Sequence, residues 1–203
     1  MKNNELIKND IDKYIYDNLF LMKDLWTKGK ELGGKPVIQI FPHDILVIVQ
    51  WLKLIKPKTL LEIGTAFGGS GCILKMAFPD LKYITLDLPP PSDWVRTHNQ
   101  AGRFLPSDVI KEYGDSKDVL SDLIDKYKPD VIFHDGDHSE DPVKRDIKVC
   151  YDKKIKWVIL HDSHKTYLRQ FLLHNNYYEE VYFIHLKGFV TPSPGISILK
   201  LKE

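Results

Sequence analysis

Cysteine is scarce: the 203 residues hold two, Cys72 and Cys150, and neither belongs to a C-x-x-C pair. A disulfide scaffold is therefore not expected, and a reducing, cytoplasmic setting fits. An excess of one charge is also missing. Twenty-nine Lys and Arg stand against 28 Asp and Glu, a formal net charge of +1. That balance removes the general electrostatic case for a nucleic-acid or anionic-membrane partner. No apolar run approaches the ~18–20 residues that span a bilayer. The opening stretch Met1–Tyr14 is polar, so no secretory leader is expected. There is no internal repeat and no low-complexity tract. What remains is an ordinary globular composition, 43% hydrophobic and 28% charged, at the length of one domain.

From Leu6 to Leu32 apolar residues recur at helical spacing: Ile7, Ile11, Ile15, Leu19, Met22 and Trp26. This amphipathic stripe must bury itself against something: its own domain, an active site that it covers as a lid, or a second copy in a homo-oligomer. Residues 1–41 thus form a helical lead-in, and 42–203 the main domain. A second helix is expected over Pro42–Ile55, with proline in its first turn and Lys56-Pro57-Lys58 ending it.

Beyond Lys58 strands and helices alternate. Strands are expected at Thr59–Ile63, Tyr83–Leu86, Val109–Tyr113, Val131–Phe133 and Trp157–Leu160. Helices are expected after the glycine turn through Met76 and at Ser92–Gly102, Lys117–Tyr127, Asp141–Tyr151 and Tyr167–His174. Val181–Ile184 and Ile196–Leu199 close the chain as a hairpin pair. Continuous apolar strands alternating with helices imply a parallel sheet covered on both faces, a doubly wound α/β fold. Ligands of such sheets bind at the C-terminal strand ends. Those ends carry Gly64–Ser70, Asp87, Gly114–Ser116, Asp135–His138 and His161-Asp162, which hold nearly every residue suited to chemistry.

The turn Glu62-Ile63-Gly64-Thr65-Ala66-Phe67-Gly68-Gly69-Ser70 joins a strand to a helix, whose N-terminus offers free N–H donors. Its spacing is neither G-x-G-x-x-G nor a P-loop, which weakens a nicotinamide-dinucleotide reading. Glu62 suits an amine-bearing or cationic ligand better than a pyrophosphate. Asp87 ends the second strand, about 20 residues beyond Gly68, where an acid can accept from ribose hydroxyls. Asp115 reads equally as a helix N-cap and as a ligand contact.

These residues resemble the class I S-adenosylmethionine-dependent methyltransferases, from about Pro42 to the C-terminal hairpin. The resemblance implies a mostly parallel, Rossmann-like sheet of seven strands with an antiparallel C-terminal strand at one edge. It implies S-adenosylmethionine as cofactor, held by Glu62, Gly64, Thr65, Gly68, Ser70, Asp87, Asp115, Ser116 and Asp135.

His134-Asp135-Gly136-Asp137-His138-Ser139 is the most polar cluster in the chain. The stretch Val131–Ile147 resembles small O-methyltransferases that modify antibiotic sugars and cephalosporin-type compounds. In metal-dependent members, acids at the Asp135 position and after the fifth strand hold a divalent cation, Mg²⁺ or Mn²⁺. The resemblance thus points to Asp135, His161 and Asp162 as ligands. The histidine at 161 departs from the pattern: Mg²⁺ prefers oxygen, so an imidazole there favours a transition metal or none. Asp137 and His138 are the candidates for taking a proton from a substrate hydroxyl. His134, on the strand itself, is expected in the core, as are most of Trp51, Trp94, Trp157 and the tyrosines. Lys144 and Arg145 are expected on a solvated face. The His164–Tyr167 and Thr191–Pro194 loops fall on the substrate side by topology. The expected activity is O-methylation of a small molecule. Methylation of RNA or protein, and a cofactor-binding module without turnover, are the alternatives.

Overall fold

The computed structural model of the chain describes residue 40, residues 42–89, residue 102, residues 105–185 and residues 195–202. The Leu6–Leu32 helix, the Ser92–Gly102 helix apart from Gly102, Trp94 and the Thr191–Pro194 loop lie outside these residues. No helix among the described residues is long and apolar enough to cross a membrane.

Helix α1 spans Pro42–Ile55. Pro57 ends it, because the ring of a proline disfavours helical backbone in the residue before it. Lys56, between the helix and Pro57, has a positive φ of 48°. The order continues β1 (Thr59–Ile63), α2 (Gly69–Ala77), β2 (Lys82–Asp87), β3 (Ile110–Tyr113), α3 (Ser116–Tyr127) and β4 (Val131–His134). Then come α4 (Glu140–Asp152), β5 (Trp157–His161), α5 (Thr166–His174), β6 (Tyr178–Ile184) and β7 (Ile196–Leu201).

The seven strands form one sheet in the order β3-β2-β1-β4-β5-β7-β6. Strands β1 to β5 are parallel, and β7 runs antiparallel to both β5 and β6. The C-terminal strand is therefore the antiparallel one, as expected, but it is not the edge. It inserts between β5 and β6, and β6 takes the outer place. Burial agrees: Ile196–Leu199 are all buried, whereas β6 buries only Tyr178 and Tyr182.

Side chains alternate between the two faces of a strand. Leu60, Val131, Phe133, Ile159 and Ile198 face one way, into an apolar layer with Ile45, Ile48 and Leu52 of α1 and Leu74 of α2. Leu61, Ile63, Ile132, Val158 and Leu160 face the other way, against Leu120 and Ile124 of α3, Val143 and Ile147 of α4, and Leu168 and Leu172 of α5. Trp51 and Trp157 meet in the first layer, with ring centroids 5.7 Å apart. The same alternation fixes where polar residues on these strands point. Glu62 and His161 fall on the α1 face, and His134 on the α4 face.

Order reverses between β1 and β4, and the loops after these two strands cross there. Asp135 N donates to Ile63 O at 2.8 Å, and Gly64 N to Leu86 O at 2.8 Å. Gly64 has φ +91°, and a Cβ on it would lie 2.3 Å from the Asp135 carbonyl oxygen. Just beneath, Glu62 is fully buried and accepts from Ser70 Oγ at 2.6 Å, while its Oε2 has no partner. Burial pushes its carboxyl up to about 8, against the pull of the Ser70 hydrogen bond.

Gly64→Ala is expected to cost about 2–4 kcal/mol of stability, since both backbone conformation and space oppose a side chain. Urea unfolding of the variant measures this. Glu62 gives a second expectation. Its folded pKa, about 8, lies above the usual 4.5, so the folded state binds the extra proton between those values. Stability contributed by protonated Glu62 is complete below pH 4.5 and is lost as pH rises through 8. Glu62→Gln should therefore gain on the wild type by roughly 3–5 kcal/mol across that window and level off above it. Denaturant midpoints measured from pH 5 to 9 test the trend.

Candidate active site

All five post-strand segments line one cleft of about 1110 Å³. Its walls include Gly64, Thr65, Ser70, Asp87, Asp115, Ser116, Asp135, Asp137, His138, His161 and Asp162. His164, Lys165 and Tyr167 join them, on the side that topology indicated.

Asp87 organises the glycine turn. Its Oδ2 accepts from Thr65 N and Ala66 N, each at 3.0 Å, and its Oδ1 from Leu88 N at 2.7 Å. A carboxylate has about four lone-pair sites. Three are committed to the fold, and Asp87 lines the cleft. Thr65 turns its hydroxyl inward to Thr85 and leaves its backbone at the wall. Gly68, at φ +84°, caps α2, whose first-turn residues Gly69 and Ser70 line the cleft. Glu62 does not reach the opening: it sits under the wall and holds Ser70. The expectation of direct contact between Glu62 and a ligand is corrected on that geometry.

Asp115 is the N-cap of α3, accepting from Lys117 N at 3.0 Å. That contact holds its carboxyl below the usual range. The Ser116 hydroxyl donates to Asp146 Oδ2 at 2.8 Å and accepts from Arg145 Nη2 at 3.0 Å. Asp146 is buried and also takes Arg145 Nε at 3.0 Å and faces His134 Nε2 at 3.1 Å. His134 is thus a core residue, as expected. Arg145 is not merely solvated: it is tied into this network. The charged run of α4 concealed that role.

The loop after β4 sorts its polar residues. Asp137 Oδ1 accepts from Ser139 N at 2.8 Å, and the Ser139 contacts hold its carboxyl below the usual range. His138 stands with Nε2 3.5 Å from Asp135 Oδ1 and 3.6 Å from Asp162 Oδ2. Tyr167 Oη donates to the His138 carbonyl at 2.6 Å and pins the loop. Burial lowers the His138 imidazole to about 4, outweighing the pull of Asp162 and Asp135. It is neutral at pH 7.

His161 behaves in the opposite way. Its Nδ1 lies 2.5 Å from Asp135 Oδ1, and its Nε2 lies 3.3 Å from Asp44 Oδ2 of α1. Burial pulls this imidazole down, but the two carboxylates outweigh it and hold it up at about 10. Asp44 was missed in the sequence. It occupies the first turn of a helix, where an acid is ordinary.

The expected cation ligands do not assemble as a set. Asp135, His138 and His161 offer ligand atoms within 4.8 Å of one another. Asp162 is outside that group, 3.5 Å from Lys165 Nζ. Two cis ligands of a hexacoordinate cation, each ~2.1 Å from it, stand ~3 Å apart. The 2.5 Å between His161 and Asp135 is instead a hydrogen bond, and both His161 nitrogens are spent. These residues do not fit an oxygen-preferring divalent cation.

The comparisons with known proteins agree with this geometry. A model of the methyltransferase domain family matches residues 61–163, the span from β1 through β5. A catechol O-methyltransferase of Niastella koreensis is 29% identical over 141 residues, 66% of this chain and 63% of its own length. The chain thus matches less than two thirds of that curated relative. An O-methyltransferase from Bacillus cereus, solved in complex with SAH, superposes with a TM-score of 0.60 at 16% identity, covering 97% of this chain and 100% of that one. The SAH-bound methyltransferase PaMTH1 of Podospora anserina gives 0.58 at 14% identity, covering 100% and 97%. The fold is that of these enzymes, and the matched family model spans the strands whose ends build the cleft: the chain belongs to the methyltransferase domain family.

Proposed function

We propose that the chain is an S-adenosylmethionine-dependent O-methyltransferase of small molecules, acting in the cytoplasm. The observation that carries this reading is the meeting of an Asp87-held glycine turn and the His138 imidazole in one cleft. The nucleoside end fits the Asp87, Asp115 and Ser116 side. The methionine end fits the free N–H groups at the start of α2. The relative's name, catechol O-methyltransferase, supports a hydroxyl acceptor. The near-zero net charge favours a small molecule over RNA.

S-adenosylmethionine, when bound, supplies a methyl group on an electrophilic sulfonium. The acceptor oxygen forms a bond to that carbon as the carbon–sulfur bond breaks, and the hydroxyl proton must leave. His138 Nε2 takes it. Asp135 and Asp162, at 3.5 and 3.6 Å, stabilise the imidazolium that results. Asp137, whose carboxylate accepts from Ser139 N within its own turn, is the second candidate for this work. The remaining contribution of the cleft is alignment of the two reactants.

Calorimetric titration with S-adenosylmethionine and S-adenosylhomocysteine tests the cofactor. Micromolar binding that Asp87→Ala abolishes is the expected result, and no binding of either nucleoside sinks the reading. With catechols and other hydroxyl acceptors, His138→Gln should lower kcat by about 10²–10⁴ while the affinity for S-adenosylhomocysteine is kept. The pH profile gives a further check. A histidine base at its ordinary 6.5 would lose about tenfold in kcat/KM by pH 5.5. With His138 lowered to about 4, the rate should stay nearly level across that range.

A further inference from the structure

We propose that Asp44, His161 and Asp135 form a carboxylate–imidazole–carboxylate relay in the place where the resemblance puts a divalent cation, with Asp44 as the positioning residue. The inference rests on the reading above for what the cleft does, but its geometry stands independently.

The fold makes the relay by register. His161 ends β5 two residues after Ile159, so it points to the α1 face, and α1 presents Asp44 there, fully buried. The ring therefore lies between Asp44 Oδ2 at 3.3 Å and Asp135 Oδ1 at 2.5 Å. A carboxylate thus faces each ring nitrogen, and ligation of a metal by either nitrogen would have to break that contact. The ring is held at both ends, which sets the rotation of the Asp135 carboxylate, with Oδ1 committed to His161. The group beside Asp135 is then part of the chain, carried on a strand end and braced from α1. Asp44 touches neither reactant in this arrangement. It acts by holding the ring that holds Asp135.

The test uses the full-length free protein. Nitrogen–proton NMR should show the His161 Nδ1–H far downfield of ordinary imidazole protons, assigned by its disappearance in His161→Gln. Asp44→Asn should move that resonance upfield, which loss of packing alone would not do in a protein that still melts cooperatively. Mg²⁺ should leave the resonance in place. Mn²⁺ followed by EPR should stay free, or bind only weakly and survive Asp135→Asn, which marks sites elsewhere on the surface. Micromolar Mn²⁺ binding that Asp135→Asn weakens by about tenfold or more overturns the proposal. So does loss of the His161 resonance on adding Mg²⁺. If Asp44→Asn fails to fold, the two wild-type metal titrations still decide. S-adenosylhomocysteine binding is read in the same samples. Its absence defeats the methyl-transfer reading without touching the resonance, whereas metal capture with nucleoside binding intact defeats only the relay.

Discussion

The loops that leave β1 and β4 pass so closely that position 64 has no room for a side chain. A Cβ there would sit 2.3 Å from the carbonyl oxygen of Asp135. This crossing decides where the cleft lies. It brings the glycine turn, with the N-terminus of α2 behind it, against the polar loop after β4. The Asp87 carboxylate locks the turn from one side through Thr65 N and Ala66 N. Asp135 N locks the other through Ile63 O. The glycine turn and the polar loop after β4 thus share a wall because two backbones touch.

The second constraint is the period of the strands. Apolar residues on β1, β4 and β5 are buried on both faces, so any polar residue among them needs a partner inside the protein. Besides Thr59 at the start of β1, three are present: Glu62, His134 and His161. Each meets a group from the helix on the face to which its parity sends it: Ser70 of α2, Asp146 of α4 and Asp44 of α1. Two of these partners are carboxylates without exposure. Removing either would leave a charge or a ring stranded in the interior, at a cost of several kcal/mol. The helices are thereby tied to the strand ends by directional bonds as well as by apolar packing. The site inherits that rigidity.

Much of this was legible from periodicity alone. Pro42 and Pro57 bracket α1, and short apolar runs mark β1, β4 and β5. The five post-strand segments that the alternation singled out do line one cleft. What was not legible depends on pairing across long separations. Asp44 lies 117 residues from His161 and looks like any acid in a first helical turn. Asp146 sits within Lys144-Arg145-Asp146, a charged run with the look of a solvated face, yet it is buried. Glu62 had the right neighbourhood but the wrong depth, because its position on β1 turns it inward below the opening. The last two strands read correctly as a hairpin. Nothing in their alternation says which of them lies beside β5, and only the register of β7 with both neighbours decides it.

The two histidines of the cleft show how similar side chains take opposite roles. His138 and His161 have ring centroids 5.9 Å apart and share Asp135 as a neighbour. His161 has a carboxylate on each nitrogen, and one of them, Asp44, is wholly out of water, so the proton belongs there. His138 has carboxylates only beyond close hydrogen-bond reach, and burial sets its balance. A proton on His138 would moreover face the positive ring of His161 across the same small space. The pair therefore carries one positive charge and keeps it on the inner ring. The outer ring stays neutral in the cleft wall, with Asp135 Oδ1 and Asp162 Oδ2 at 3.5 and 3.6 Å from its Nε2.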